Sequence, residues 1–301
     1  MRKKTFMKTI SGRGIDDVGL VPSIRLREGE RSLFLCSLFL PEPYRSAVIA
    51  LYTFNLEITR IRGLINEPLA GHLRLKWWYD AVESMGAGEM PNHPAIREIE
   101  PIIGEFHLDP LQFLSLVEGN AADLSPSQPG NVTEMLEQID KTSGVLYNIL
   151  VNMVDANGSD DALRAGYHVA RAIGVSRMIR SLPSDVSSGR NYLPLDICER
   201  EGVTTNDIKK LGATEPLPNK ISEAIRAVVD VGIDELLKAR RFRKSINPLV
   251  RTVLLPATLA GQDFITLKAK GFDPRRMRPR LLGLAPFSML KLWWNARCGL
   301  Y

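Results

Sequence analysis

The sequence contains no apolar stretch long enough to cross a membrane. A membrane-spanning helix needs about 18–20 mostly apolar residues, whereas the longest apolar runs, such as residues 32–41, are shorter and have charged neighbours. Of the 301 residues, 45% are hydrophobic and 24% are charged, a normal balance for a soluble globular protein with a large core. We therefore expect a protein that is soluble, or at most peripheral on a membrane.

Cysteine, histidine and the common catalytic motifs are also scarce. The three cysteines, Cys36, Cys198 and Cys298, are far apart, which argues against a disulfide framework or a zinc site and favours a reducing compartment. The four histidines have neither HxxxH nor HExxH spacing, so a metal site on one helix lacks ligands. The sequence has no P-loop or GxGxxG loop to hold phosphate groups and no GxSxG nucleophile elbow.

The charge distribution argues against a nucleic acid partner. The net charge is +5, and basic residues cluster at positions 1–8, 238–244 and 275–280. Such an excess suits an anionic membrane surface or a phosphorylated ligand, although solvated helix ends explain most charge runs of this kind. Aromatic residues do not alternate with the basic ones as they do in nucleic-acid-binding platforms, so no nucleic acid is expected to bind.

Hydrophobic residues recur with a helical period along almost the whole chain. Ala47, Leu51, Phe54, Ile58 and Ile61 follow steps of four, three, four and three, which places them on one helix face. Strand-like alternation of β-branched residues is absent. These patterns predict an all-α fold, a single-domain bundle of about ten helices over residues 26–301. Residues 1–25 are expected to be disordered or irregular, and residues 1–14 lack the apolar core and cleavage site of a secretory signal.

A second helix is predicted to carry Leu69, Leu73, Trp77 and Ala81 on one face and to end at Gly86. Clusters of Pro, Gly and Ser mark the breaks between the later helices, and none is long enough to be a flexible linker between domains. The breaks fall at residues 125–130, 157–159, 183–189 and 212–218, and the further helices at residues 95–105, 110–122, 132–154, 160–182, 221–236, 251–268 and 279–296.

Three segments with unusual residues occur in a fixed order. They are residues 31–54, ending in LYTF; residues 73–78, LRLKWW; and residues 189–194, GRNYLP. Together they resemble motifs of the squalene/phytoene synthase family. The resemblance implies the isoprenoid synthase fold of that family. In its enzymes, carboxylates on facing helices hold Mg²⁺ ions, which neutralise the diphosphate of an isoprenoid substrate as it leaves.

The sequence departs from the family at the first acidic motif. Counting from Phe54, the places of the paired aspartates are taken by Thr59 and Arg60, and the third acidic position is Gly63. An arginine in the place of a metal ligand reverses the charge rather than weakening it. This segment therefore predicts that no normal Mg²⁺ site forms and that the protein has no cofactor, with Mg²⁺ required only if the chain is an active synthase after all.

The later acidic motifs are incomplete as well. Glu118 and Asp123 remain from the second motif, whereas in the third the family's Asn and Asp are replaced by Arg177 and Ser181 and only Arg180 is kept. Each of these side chains also has a purely structural interpretation, such as a surface ion pair between Glu57 and Arg60. The candidate cavity residues are Asn55, Thr59, Arg60, Glu118, Asp123, Arg177, Arg180, Arg190 and Tyr192.

The departures themselves resemble one branch of the family, which contains mitochondrial complex I assembly factor six and its bacterial relatives. Residues 54–58, 66–78 and 192–203 carry this resemblance. It implies a catalytically degenerate protein that assists assembly of NADH:ubiquinone oxidoreductase, with complex I subunits or assembly intermediates as partners. A bacterial relative would be cytoplasmic or peripheral on the inner membrane, and a eukaryotic one would lie on the matrix side.

Two other functions remain open at this point. One is a working prenyltransferase of the squalene/phytoene synthase type, which the substitutions at Thr59, Arg60 and Gly63 oppose. The other is a metal-free binder of a diphosphate lipid or other lipid, in which Arg60, Arg177 and Arg180 would supply the positive charge.

The C-terminal helix also permits two interpretations. Leucines at positions 281, 282, 284 and 290 form an apolar set with Phe287, Trp293 and Trp294, and four arginines at positions 275, 276, 278 and 280 precede it. Tryptophans beside basic residues suit an anionic membrane interface, with Trp293 and Trp294 as the contacts. Alternatively the helix closes the core, which explains the leucines but not the arginines.

Overall fold

The fold consists of α-helices throughout the described part of the chain. The computed structural model describes residues 22–64, 68–86, 91–124, 127–155, 158–212, 216–277 and 286–301. Within these ranges there are fifteen α-helices, one π-helical turn and two short 3-10 turns, and no β-strand. The prediction of an all-α fold is confirmed, although several predicted helices are divided into shorter ones. Helix α1 starts at Pro22, inside the segment that was predicted to be irregular.

The first six helices form the N-terminal half. In α3 the five residues predicted to share one face are buried, but so is every other residue from Ala47 to Leu56, so this part of the helix is buried on all sides. Helices α5 and α6 begin at a capping side chain, His93 and Asp109 respectively, followed by a proline that needs no hydrogen-bond partner for its nitrogen. The six helices are α1 (Pro22–Gly29), α2 (Arg31–Ser37), α3 (Tyr44–Leu64), α4 (Pro68–Gly86), α5 (Pro94–Glu105) and α6 (Pro110–Ala122).

The central helices differ from prediction at two points. The predicted helix 132–154 is divided into α7 (Val132–Ile139), a π-helical turn (Asp140–Gly144) and α8 (Val145–Val154). Helix α9 (Asp160–Ser187) passes through Pro183, where the sequence predicted a break. Proline removes one helical hydrogen bond, but Leu182 before it is fully buried and Asp185 after it accepts a hydrogen bond from Arg62 of α3. These tertiary contacts outweigh the local cost.

The C-terminal half packs around α9, which contacts α8, α12 and α14. The predicted helix 251–268 is divided at Leu254–Pro256, and the start of the predicted helix 279–296 lies outside the described residues. The last six helices are α10 (Leu195–Arg200), α11 (Thr205–Lys209), α12 (Asn219–Arg241), α13 (Pro248–Val253), α14 (Ala257–Ala269) and α15 (Pro286–Cys298). Among the described helices, none has the length and hydrophobicity needed to cross a membrane.

Helix α4 turns a different face inward from the one its leucines suggest. Of the four residues predicted to share one face, Leu69, Leu73 and Trp77 are exposed, whereas Ala81 is buried. The side chains that α4 buries are Leu75, Trp78, Ala81 and Val82. The Trp78 ring packs edge-on against Phe54 of α3, with ring centroids 5.5 Å apart. Both faces have helical spacing, so the period identifies a helix without saying which face meets its neighbours.

A buried carboxylate, Glu235 of α12, hydrogen-bonds to His168 of α9 and makes the stability of the fold depend on pH. His168 Nδ1 lies 2.7 Å from Glu235 Oε2, and Lys238 donates to the other carboxylate oxygen at 2.9 Å. Burial by itself would raise the pKa of Glu235, but the hydrogen bonds from His168 and Lys238 lower it below its ordinary value of 4.5. A lowered carboxyl pKa stabilises the fold above the ordinary value and stops doing so as the pH falls through the folded value.

We expect Glu235→Gln to destabilise the protein near neutral pH by about 1–3 kcal/mol, because hydrogen bonds to a charged group are lost. The difference from wild type should shrink below pH 4.5, where the wild-type carboxylate becomes protonated. Urea unfolding from about pH 7 to about pH 3 measures this. Glu223→Gln, which alters an exposed pair with Arg226, is the matched control. A difference that stays constant with pH would contradict the assignment.

Candidate functional site

An arginine side chain joins three helices at the centre of the candidate site. Arg62 of α3 donates from Nη1 to Asp123 Oδ2 at 2.6 Å and to the Tyr192 hydroxyl at 3.1 Å, and from Nη2 to Asp185 near the end of α9. The Tyr192 hydroxyl donates to the second oxygen of Asp123 at 2.9 Å, and Ser181 donates to the second oxygen of Asp185 at 2.6 Å. We call these five residues the Arg62 network.

The charges within the Arg62 network favour the protonated forms of Arg62 and Tyr192, so that both side chains can donate hydrogen bonds. Burial disfavours a charged guanidinium, but the negative charges of Asp123 and Asp185 raise the pKa of Arg62 above its ordinary value. Burial, followed by the charge of Asp123, raises the pKa of Tyr192. The hydroxyl therefore stays protonated and donates to Asp123. Asp185 is only 5% exposed, so it depends on these partners to remain in the interior.

Two of the predicted site residues, Asp123 and Tyr192, meet in this network. Arg190 lies next to it, because its backbone nitrogen donates to the backbone oxygen of Asp185 at 2.9 Å. Glu118 is exposed on α6 and is not among the five residues. Asn55 is buried within α3, and the Thr59 hydroxyl donates to the Leu56 carbonyl of its own helix at 3.2 Å.

Arg62 and Asp185 were not predicted as site residues from the sequence, and Ser181 was identified only as a lost aspartate. Arg62 stands at a position that is neither acidic nor conspicuous in the family pattern. The available signal was that one short segment lost its carboxylates and contained two arginines, Arg60 and Arg62. Asp185 lies four residues beyond Ser181, one helical turn away on the same face of α9.

A cavity of about 820 Å³ lies beside α9, between this helix and the junction of α1 and α2. Its lining carries both charges, with arginines at positions 27, 31, 177 and 180 and glutamates at positions 28 and 30. The predicted residues Arg177 and Arg180 both line it. Arg60 does not, but it lies at the rim, because its Nη2 would be 2.6 Å from a Cβ placed on the lining residue Gly29.

Neighbouring carboxylates offset part of the positive charge in this cavity. Arg180 donates to Asp263 Oδ1 at 2.9 Å, and Ser176 donates to the other oxygen of Asp263 at 2.6 Å. Arg177 Nη2 lies 3.9 Å from Glu30 Oε1, a looser pair that leaves the guanidinium more accessible. Glu57 pairs with Arg25 of α1 at 3.1 Å, which replaces the surface pair with Arg60 considered from the sequence.

The fold and the order of motifs agree with one family. The profile of the squalene/phytoene synthase family matches residues 26–284. The chain belongs to this family.

Members with different roles resemble the chain to a similar degree. It is 24% identical over 275 residues to the bovine (Bos taurus) NADH dehydrogenase (ubiquinone) complex I, assembly factor 6, covering 90% of this chain and 80% of that protein. It is 22% identical over 267 residues to a presqualene diphosphate synthase of Rhodopseudomonas palustris, covering 87% and 82%. A dehydrosqualene synthase crystal structure superposes with a TM-score of 0.79 at 15% identity, covering 92% of this chain and 94% of that one. The predicted fold type is confirmed.

The described residues do not fit the Mg²⁺ site that squalene/phytoene synthase enzymes need. Asp123 and Asp185 both already bind Arg62. Thr59, Arg60 and Ser181, which the motif spacing predicts at the places of family carboxylates, cannot supply carboxylate ligands. Within the described ranges, no group of three or more His, Cys, Asp or Glu side chains is placed to hold a metal ion. Mg²⁺ prefers several oxygen ligands, including carboxylates. Because Arg62 already binds Asp123 and Asp185, these two carboxylates can bind either the arginine or a metal ion.

Helix α15 presents its two tryptophans to the outside. Trp293 is 50% exposed and Trp294 is 58% exposed. The neighbouring Met289 and Leu290 are exposed as well. The helix attaches to the domain through Leu292, which is buried in a small cluster with Cys36, Leu255 and Leu259. The helix therefore closes a small part of the core and exposes its two tryptophans together with Lys291 and Arg297. Leu281, Leu282 and Leu284, Arg278 and Arg280, and the Phe287 side chain lie outside the described residues.

Proposed function

We propose that this chain is a non-catalytic member of the squalene/phytoene synthase family that assists assembly of respiratory NADH:ubiquinone oxidoreductase. The observation that carries the proposal is the Arg62 network, in which a guanidinium lies between carboxylates that would otherwise be available to a metal. The similarity to assembly factor 6 over 90% of this chain supports the assembly role. The partners would be complex I subunits or assembly intermediates, at the cytoplasmic face of a bacterial inner membrane or the matrix face of a mitochondrial one.

Co-purification from native membranes tests the assembly role. The tagged chain would be isolated from its own cells under mild detergent, and its partners would be identified by mass spectrometry. We expect oxidoreductase subunits to be enriched over an untagged control, and NADH:ubiquinone oxidoreductase activity of membranes to fall when the gene is deleted. If the deletion strain has normal oxidoreductase activity, and complementation does not change that activity, the role is refuted.

A second candidate function has an observation in its favour. The cavity beside α9 has the size of a small-molecule site, and Arg27, Arg31 and Arg177 line it. A metal-free binder of a diphosphate lipid would use such guanidinium groups, which bind phosphate oxygens in pairs. Binding of farnesyl diphosphate in the presence of EDTA, weakened by Arg177→Ala, would favour this alternative.

We expect the purified protein to release no pyrophosphate from farnesyl or geranylgeranyl diphosphate in the presence of Mg²⁺. The reason is that Thr59, Arg60 and Ser181 provide no carboxylates and that Asp123 and Asp185 bind Arg62. A coupled pyrophosphate assay measures this, with an active synthase of the family as the positive control. Turnover at an ordinary enzyme rate, about 1 s⁻¹ or faster, would show that the chain is a prenyltransferase.

We also expect the intact chain to float with liposomes that contain anionic lipid. Exposed indoles insert at headgroup depth, and Lys291 and Arg297 lie on the same short helix as Trp293 and Trp294. The double substitution Trp293→Ala/Trp294→Ala should reduce flotation without unfolding the protein, because both side chains are largely exposed. The matched control is Tyr167→Ala, which removes an exposed aromatic side chain from α9. Equal flotation of the double variant and wild type would exclude α15 as the contact.

A further inference from the structure

In the Arg62 network, carboxylates from two helices bind one central cation, as they do in a metal site. Here the cation is the guanidinium of an arginine side chain. The guanidinium reaches Asp123, at the C-terminal end of α6, through one nitrogen and Asp185, in the last turns of α9, through the other. These two carboxylates are 62 positions apart in the chain, and both bind the guanidinium that α3 carries. The arginine therefore ties α3, α6 and α9 together, as a metal ion would tie the helices that ligate it.

The charges and donors around Arg62 indicate what else would satisfy this place. Two carboxylates carry two negative charges, and the guanidinium neutralises one of them. Tyr192 and Ser181 each donate a hydrogen bond to the remaining oxygens, which spreads the second charge. A divalent cation would balance both charges, and carboxylate and hydroxyl oxygens are the ligands that Mn²⁺ and Mg²⁺ prefer. Arg62 already binds one oxygen of each of these carboxylates.

We propose that Arg62 is a built-in cation that replaces a divalent metal between α6 and α9, and that removing its side chain opens a cation site at Asp123 and Asp185. The chain thereby keeps its helices together without depending on the metal supply. This inference goes beyond the proposed assembly role and does not depend on it, because it concerns metal binding by the purified protein and not partners in the cell.

Manganese titration of the Arg62→Met variant tests the proposal. Methionine removes the guanidinium and its charge but keeps a flexible, unbranched side chain that can move aside for an ion. Free Mn²⁺ can be followed by its electron paramagnetic resonance signal. We expect the variant to bind one Mn²⁺ at least about tenfold more tightly than wild type, with an affinity in the range of weak carboxylate sites, about 10⁻⁴–10⁻³ M. Adding Asp185→Asn to the variant should remove the gain.

A matched control is available in the chain. Arg171 pairs with a single carboxylate, Asp140, through two hydrogen bonds of 2.9 and 2.6 Å. Arg171→Met frees one carboxylate instead of two, so it should give no comparable gain in Mn²⁺ binding. Equal gains in the two variants would overturn the proposal, because they would show that any released carboxylate collects the ion. Wild-type binding as tight as that of Arg62→Met would also overturn it, since Arg62 would then not occupy the site.

The folding of the Arg62→Met variant gives a second readout. If the variant is unfolded without metal, its circular dichroism is recorded with about 5 mM MnCl₂, well above the expected dissociation constant. Recovery of helix with MnCl₂, but not with NaCl at the same ionic strength, supports the proposal. A variant that neither binds Mn²⁺ nor is refolded by it overturns the proposal.

Discussion

Gly119→Ala is expected to lower the free energy of unfolding by about 3 kcal/mol, the upper part of the usual range for overpacking. A Cβ on Gly119 would lie 2.0 Å from the backbone oxygen of Lys141 and 2.8 Å from its carbonyl carbon. Lys141 belongs to the π-helical turn between α7 and α8, so the obstacle is backbone and not a flexible side chain. Helix α6 has to move away from this turn, and Asp123, four residues further on, moves with it.

The sign of this prediction depends on the contact, because alanine is the better helix former. In an open position, replacing glycine with alanine stabilises a helix by about 0.5–1 kcal/mol. Gly104→Ala in α5 is the matched control, since a Cβ there meets no atom within 4 Å. Urea unfolding of the two variants should therefore shift the midpoint in opposite directions. A neutral or stabilising Gly119→Ala would mean that α6 and the π-helical turn are further apart than described.

Arg62→Ala is the second substitution with a large expected effect, a loss of about 3 kcal/mol of folding free energy. Removing one partner of a largely buried ion pair leaves its carboxylates without compensation. Arg62 is 25% exposed and Asp185 only 5% exposed, so water replaces the guanidinium poorly at Asp185. The loss should be partly recovered in the double variant Arg62→Ala/Asp185→Asn, in which the uncompensated charge is also removed.

The control for Arg62→Ala is the same substitution in an exposed pair. Arg226 lies next to Glu223 and Asp230 on the surface of α12, and its side chain is 54% exposed. Arg226→Ala should change the free energy of unfolding by less than about 1 kcal/mol, as exposed ion pairs do. Thermal or urea unfolding of both variants measures the two changes in the free energy of unfolding. Similar small losses at Arg62 and Arg226 would show that the network contributes little to stability.

The candidate site was only partly predictable from the sequence. Asp123 and Tyr192 were identified because they stand at positions where the family pattern places functional residues. Arg62 and Asp185 were not, because their importance depends on each other and they are 123 residues apart in the chain. No local spacing relates two such positions. Their approach results from the packing of α3, α6 and α9, which brings a cation and two anions into one partly buried place.

Local sequence patterns were enough to predict that the chain is helical and that the residues of α3 from Ala47 to Ile61 at helical spacing are buried. They also lead to the hypothesis that Thr59 and Arg60 replace metal ligands of the family. Each of these follows from local periodicity or from the type of residue at a given position. Tertiary structure decided the inward face of α4, the continuation of α9 through Pro183 and the partners of Arg62. In these cases the local pattern permits two outcomes, and the free energy of burying one face or pairing one charge selects between them.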